Sequence, residues 1–308
     1  MPWTAVVNPA AGRTTARSLD RLAAALGARG IAVRIARDLV DGQDLARAAF
    51  AAGHGVVACG GDGTVAALAA IAAETGGTLA IVPCGSGNDF ARQLGLDHRH
   101  PLRNLGLLDP PEPSTTTVDL GRVTLGTTSR IFTTVANVGL DAAANRWAND
   151  HAHTFPGQHL GGTARYVLAA LATIPRYRPT RLRVQVDEER WEGPAWLVAV
   201  GNSRSYGGGM LITPDASVHD GRFDVCIVEA VPRVELLRRL PGVFRGSHVR
   251  VDGVRMLRGA RVEVTALDAP STAPKRSQDL WASGEPVGPL PAVLEVCPDA
   301  LRVVVPNL

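Results

Sequence analysis

Short apolar runs alternate with longer stretches of helical periodicity from the N-terminus to Asp109, and this alternation sets the fold class. Trp3–Val7 reads as a strand, followed by a helix over Thr14–Arg29 that Gly30 ends. Ile31–Ala36 reads as a second strand and Asp44–Ala52 as a second helix, stopped by Gly53. Val56–Cys59, a helix over Val65–Glu74, Leu79–Val82 and a helix from Phe90 complete the series. Strands alternating with helices of this length form right-handed βαβ units around a parallel sheet.

The segment Asp109-Pro110-Pro111-Glu112-Pro113-Ser114 suits neither element and reads as a linker. Beyond it the pattern changes to strand signals separated by turn-rich segments: Val118–Leu120, Ile131–Val135, Leu182–Val186, Ala195–Val200, Phe223–Val228, Val262–Ala266 and Leu294–Val296. Two helices are expected, Tyr166–Ile174 and Glu235–Phe244. Many strands with few helices imply an antiparallel sandwich. The expected domains are an α/β domain over 1–115, with 297–308 a candidate to complete it, and a mainly β sandwich over 116–296.

Composition narrows the function classes. The 308 residues are 45% hydrophobic and 20% charged, an ordinary globular balance, and the net charge of +3 is too small to imply nucleic-acid binding. Arginine supplies nearly all the positive charge, since Lys275 is the only lysine. A P-loop needs a lysine directly after its glycine and a protein kinase needs one on its third strand, so both are excluded. The four cysteines, Cys59, Cys84, Cys226 and Cys297, form no Cys-x-x-Cys pair, which points to a reducing cytoplasm and no structural zinc. No signal peptide or apolar stretch of about 18 residues is evident, so no membrane-spanning segment is expected.

Candidate chemistry concentrates in three glycine-bearing turns: Asn8-Pro9-Ala10-Ala11-Gly12, Gly60-Gly61-Asp62-Gly63-Thr64, and Pro83-Cys84-Gly85-Ser86-Gly87-Asn88-Asp89. Each follows a strand signal and leads into a helix. Ligands of open α/β sheets bind beyond the carboxyl ends of the strands. Glycine there lets backbone N–H groups approach phosphate oxygens, and the following helix N-terminus favours negative charge. Three such turns in one domain imply a polyphosphate site. Asp62, between two glycines, either holds magnesium, orients water, accepts a proton or caps a helix. Asn8 and Thr64 can bond phosphate or ribose oxygens or serve the turns alone, and Ser86, Asn88 and Asp89 can cap the third helix.

These turns resemble those of the diacylglycerol kinase catalytic domain, the lipid-kinase family that includes sphingosine kinases and bacterial soluble lipid kinases. That family's first domain is similar to those of phosphofructokinase and NAD kinase. The likeness continues, in order, through Asn137-Val138-Gly139-Leu140-Asp141-Ala142, Val198-Ala199-Val200-Gly201-Asn202 and Tyr206-Gly207-Gly208-Gly209-Met210. It goes on to Thr213-Pro214-Asp215-Ala216-Ser217-Val218-His219-Asp220-Gly221 and Ser283-Gly284-Glu285-Pro286. The resemblance implies ATP on Asn8 to Gly12, on Gly60 to Thr64 and on Ser86. It also implies structural magnesium on the Asp220 carboxylate with main-chain oxygens of Ser217 and Arg222. The closing motif is usually Asp-Gly-Glu with the glutamate as proton acceptor. Glu285 keeps that place, whereas Ser283 replaces the aspartate and brings no charge. Asp279 is a candidate to substitute through space.

The function so implied is transfer of the γ-phosphoryl group of ATP to the hydroxyl of diacylglycerol or a related lipid, with Glu285 or Asp62 as base. It would act from the cytoplasm at the membrane surface. The sequence carries no signature of oligomeric state, and a homodimer is compatible with it. The alternatives are an NAD kinase-like enzyme, a kinase of a soluble metabolite, and a weakly catalytic ATP or lipid sensor. The histidines His151, His153, His159, His98 and His100 read as solvated loop residues rather than zinc ligands. The helix over Glu235–Phe244 carries Leu236, Leu237, Leu240 and Phe244 beside Arg233, Arg238, Arg239 and Arg245; it packs on a core or lies on a membrane.

Overall fold

A computed structural model describes residues 1–12, 15–109, 112–151, 162–267 and 279–307. Contacts divide the chain into two units, Met1–Leu120 with Cys297–Leu308, and Gly121–Val296.

In the first unit, β1 (Trp3–Val7), β2 (Ala32–Ile35), β3 (Gly55–Gly60) and β4 (Thr78–Pro83) pair in parallel in the order β2-β1-β3-β4. The chain's last strand, Ala292–Val304, brings Arg302 and Val303 alongside Thr78 and Leu79, also in parallel. Every residue of β3 and β4 is buried, which explains their unbroken apolar character: strands covered on both faces have no polar side to alternate with.

Four helices follow the strands: α1 (Ala16–Gly27), α2 (Leu39–Ala51), α3 (Asp62–Thr75) and α4 (Asp89–Gln93). Thr15 and Ser18 form a capping box that starts α1, and Leu22 and Leu26 are its buried face. Helix α2 starts at Leu39 rather than Asp44, because the Asp38 side chain accepts from the Asp41 N–H at 2.8 Å and caps it. Gly42 is tolerated there for packing: a methyl group would sit 3.4 Å from Ala36 Cβ. A 3-10 turn over Pro101–Leu108, absent from the sequence reading, follows α4 and buries Leu105.

The second unit takes in the latter part of β5 (Thr115–Leu125), then β6 (Thr128–Phe132), β7 (Val135–Gly139), α5 (Leu140–Asp150), α6 (Gly162–Thr173), β8 (Thr180–Val186) and β9 (Glu189–Gly201). After these come β10 (Phe223–Glu229), α7 (Arg233–Arg239), β11 (Val254–Gly259), β12 (Arg261–Ala266), β13 (Asp279–Ala282), β14 (Glu285–Pro289) and β15 (Ala292–Val304). Strand pairings within this unit are antiparallel. Strand β9 joins the layers, since Glu189–Ala195 pairs with β8 while Leu197–Gly201 lies between β7 and β10. Phe132, Val198, Phe223, Val225, Val262 and Leu294 meet in the sandwich core. On the other face of β7, β9 and β10, Val135, Trp196, Leu197 and Cys226 pack against Leu140, Ile174 and Leu236, from α5, the end of α6 and α7.

Two further readings are corrected here. Ile131–Val135 is two strands, broken at Thr133-Thr134. The helix expected over Glu235–Phe244 ends at Arg239 and continues as a 3-10 turn over Leu240–Arg245, because Pro241 has no N–H to extend the α-helical ladder. Helix α5 and strands β11, β13 and β14 were not anticipated, their apolar positions being few and irregularly spaced.

Candidate active site

The three glycine-bearing turns leave the carboxyl ends of β1, β3 and β4 and pack against one another. Asn8 ties the first turn to the second: its N–H donates to the Cys59 carbonyl at 3.0 Å, and its Nδ2 donates to Thr64 Oγ1 at 2.8 Å. Its Oδ1 accepts from the Ala10 N–H at 3.0 Å, shaping the first turn. The second and third turns meet backbone to backbone, since a Cβ on Gly85 would lie 2.5 Å from Gly61 Cα. Gly12 faces Ser86, whose Oγ would lie 3.7 Å from a Cβ at Gly12.

Local chemistry holds each turn. Asn88 sits at φ 56°, in the left-handed region, while its Oδ1 accepts from the Gly85 N–H at 2.9 Å and its Nδ2 donates to the Gly85 carbonyl at 2.8 Å. It builds the third turn rather than capping α4 with its side chain. Gly61 precedes α3 and offers no side-chain cap, which leaves the first N–H groups of that helix available to an anion. Pro9, Ala10, Gly12 and Ser86 are exposed, Asn8, Gly61, Asp62 and Gly63 half-buried, and Ala11, Gly60 and Thr64 buried. The sequence-derived nucleotide set therefore forms one patch within the first unit.

Asp62 reaches across to α4, where its Oδ1 accepts from the Phe90 N–H at 3.2 Å and the amides of Asn88 and Asp89 add to the hold. Burial, with the nearby Asp89 charge second, pushes its carboxyl up to about 6, against those amides. It thus caps a helix, though α4 rather than its own. A carboxyl raised in the folded state makes the protein less stable as pH climbs from the unfolded value of 3.8 through about 6. Asp62→Asn should accordingly be more stable near neutral pH by on the order of 2 kcal/mol. That gain should vanish near the unfolded-state pKa of 3.8, as read by denaturant unfolding across pH.

The closing motif is a hairpin turn between β13 and β14. Ser283 at φ 47° and Gly284 at φ 83° occupy its two central positions, both in the left-handed region. Aspartate and asparagine tolerate that region better than serine, so the family's aspartate has a conformational reason as well as its charge. Ser283 is buried, and its Oγ accepts from the Thr133 N–H at 3.1 Å, the Thr134 N–H at 3.4 Å and the Thr134 hydroxyl at 3.3 Å. These converging donors are more than one hydroxyl can use and suit a carboxylate. Ser283→Asp should therefore raise thermal stability by about 1 kcal/mol at neutral pH. The gain should be lost as acid protonates the new carboxylate, whose pKa the donors depress.

Glu285 is exposed, and partial desolvation nonetheless raises its carboxyl above the ordinary range, with the Arg130 charge opposing. Arg130 also donates to the Pro286 carbonyl at 3.1 Å, beside Glu285. Asp279 does not join this turn: at the far end of β13 its Oδ2 is 2.7 Å from the Arg146 guanidinium.

The residues expected to hold magnesium, Ser217, Asp220 and Arg222, lie on the turn before β10. The Asp220 Oδ1 accepts from the Arg222 N–H at 3.0 Å, and its Oδ2 pairs with the Arg258 guanidinium. Beside it the buried Asp224 Oδ2 has no hydrogen bond and lies 3.7 Å from the Arg258 Nε; burial raises its carboxyl, the Arg258 charge opposes, and Asp220 and Asp215 add to the rise. One guanidinium thus serves an excess of carboxylate, which a hard cation on Asp220 would help to neutralise. Among the described residues no group of three or more His, Cys, Asp or Glu side chains is placed to hold a metal. His153 and His159 lie outside the described residues.

The second unit also holds an apolar pocket that has no counterpart in the sequence reading. Its walls are apolar, with Leu140, Ile174, Leu197, Leu236 and Val243 among them. Asp141, Tyr166, Tyr206, Arg239 and His248 are its polar lining, and the two carboxylate oxygens of buried Asp141 accept from the Tyr166 and Tyr206 hydroxyls, which lie 3.1 Å apart. Burial raises the Asp141 carboxyl, and both phenols oppose that shift. The pocket went unread because apolar cavities are assembled from residues scattered through the chain.

A parallel α/β unit with convergent phosphate-type turns, followed by an antiparallel sandwich, defines the class. Residues 2–123 match the model of the diacylglycerol kinase catalytic domain, and residues 134–305 that of the YegS C-terminal NAD kinase beta sandwich-like domain. The chain is 35% identical over 310 residues to "Diacylglycerol kinase" of Mycobacterium tuberculosis (strain CDC 1551 / Oshkosh), covering 99% of this chain and 95% of the relative. It is 31% identical over 281 residues to "Probable lipid kinase YegS-like" of Pseudomonas aeruginosa PAO1, covering 90% and 85%. The chain belongs to the diacylglycerol kinase catalytic-domain family. A solved structure described as a diacylglycerol kinase from Bacillus anthracis str. Sterne shares the fold with a TM-score of 0.72 at 20% identity, over 99% of this chain and 97% of that one.

Proposed function

We propose that the protein is an ATP-dependent lipid kinase that phosphorylates the hydroxyl of diacylglycerol or a related lipid. The observation that carries this reading is the convergence of the three turns into one patch at the carboxyl ends of the parallel strands, beside the uncapped N-terminus of α3. Asn8 to Gly12, Gly60 to Thr64 and Ser86 would hold the triphosphate, and charge neutralisation with positioning would supply most of the rate. Magnesium, when bound, would neutralise phosphate charge in the reaction and stabilise the turn at Asp220. Glu285 is the better base of the two candidates, because it is exposed while Asp62 is engaged with the α4 amides. The apolar cavity supports a substrate with an acyl chain over a soluble polar metabolite.

The test incubates the protein with γ-labelled ATP, magnesium and, separately, diacylglycerol, a mixed lipid extract, NAD, or no acceptor. Label in lipid supports the reading. Label in NAD without lipid identifies an NAD kinase-like enzyme, and ATP binding with no transfer in any arm identifies a sensor.

A further inference from the structure

The segment 231–250 lies between an apolar cavity and solvent and carries two distinct faces. Leu236, Leu240 and Val243 point into the cavity, at spacings of four and three. Val234, Leu237 and Phe244 lie on the outside, 59%, 40% and 37% exposed, at spacings of three and seven. Helix α6, which supplies Tyr166 and Ala170 to the same cavity, exposes Leu168 and Leu171. Five of the ten exposed large hydrophobic side chains among the described residues therefore belong to the elements that wall this cavity.

Charge distinguishes this surface from an ordinary apolar patch. The segment has five arginines and one glutamate, a net charge of +4. The entire chain carries +3, so everything outside these twenty residues sums to −1. The single acid, Glu235, is paired with Arg239, and Arg233 donates to the Ile174 and Tyr177 carbonyls. Arg238, Arg245 and Arg250 are exposed and make no ion pair among the described residues. Arg176 and Arg178, beside the carbonyls that hold Arg233, are exposed as well.

Exposed arginines interleaved with exposed leucine, valine and phenylalanine are the two components of interfacial binding: apolar insertion and attraction to anionic headgroups. We propose that the α7 segment, with Arg238, Arg245 and Arg250 around Val234, Leu237 and Phe244, docks the protein on an anionic phospholipid bilayer beside the mouth of the apolar cavity. This rests on the reading of the protein as a lipid kinase, for which a bilayer is the acceptor's source. Core packing, the competing reading of this helix, accounts for Leu236 and leaves the outer stripe unexplained.

The test is co-sedimentation of the whole protein with phosphatidylcholine vesicles, alone or with about a third phosphatidylglycerol. Binding should require phosphatidylglycerol and weaken from about 0.1 to 1 M salt, as the screening length shrinks from about 10 to about 3 Å. Changing Arg238, Arg245 and Arg250 together to glutamine should lower the partition coefficient roughly 100-fold, about a factor of five for each charge. Leu237→Ser with Phe244→Ser should also lower it. Turnover of a short-chain, monomeric diacylglycerol should be unchanged in both variants. Equal binding to neutral vesicles, no vesicle binding by the wild type, or undiminished binding by the arginine variant would overturn the proposal. So would a concentration-dependent dimer that the Phe244 change abolishes, since a second copy would then cover this face. Failure to phosphorylate the monomeric lipid would instead count against the lipid-kinase reading, whatever the vesicles show.

Discussion

Gly85→Ala is expected to raise the dissociation constant for ATP at least about 100-fold, with the chain still folded. The added methyl would lie 2.5 Å from Gly61 Cα and 2.8 Å from Asn88 Oδ1. The nearer of these is backbone in the neighbouring turn, so relief requires the second and third turns to separate. Overpacking of this kind costs about 1–3 kcal/mol in stability. Its larger effect falls on binding, because amides that must meet one triphosphate together are moved apart. Gly27→Ala is the matched control: it has nothing within 4 Å of the new methyl and no positive φ, and should leave affinity unchanged. Isothermal titration of both variants with ATP checks the pair.

Glu285→Gln should lower turnover by about 10²–10⁴-fold while ATP affinity stays close to wild type. Glutamine keeps the shape of the side chain and removes its ability to take a proton from the acceptor hydroxyl. The position lies on β14, outside the unit that bears the three turns, so the nucleotide patch is untouched. Its carboxyl is raised by desolvation against Arg130, so the acid limb of the turnover profile should lie above that of an ordinary glutamate. Arg130→Gln should move that limb higher still, because the opposing charge is removed. A rate unchanged in Glu285→Gln would take this residue out of the mechanism.

The first unit was the more legible part of the sequence, for a physical reason. Buried parallel strands are continuous apolar runs, and the turns beyond them need glycine where backbones approach, as at Gly61 and Gly85. Both signals are local. The boundaries that slipped did so at caps, as with Asp38 before α2, where one polar residue decides the start. The roles of single turn residues were less visible. Thr64 and Asn8 satisfy each other, and Asp62 caps a helix 28 positions along the chain, which only the packed fold could reveal. In the second unit, Ser283 was readable as a departure from the usual aspartate but not as a hydroxyl among converging donors from Thr133 and Thr134. The cavity around Asp141 is assembled from residues up to 114 positions apart, Leu140 to Val254, and no short pattern announces it.

Nuclear magnetic resonance of the backbone amides, recorded as ATP is added without lipid, probes the phosphate patch most directly. Amides of residues 10–12, 61–64 and 85–87 should shift together and saturate with one dissociation constant, while those of the second unit beyond Gly121 change far less. Shifts confined to one of the three turns, or centred elsewhere in the chain, would contradict a triphosphate held jointly by all of them.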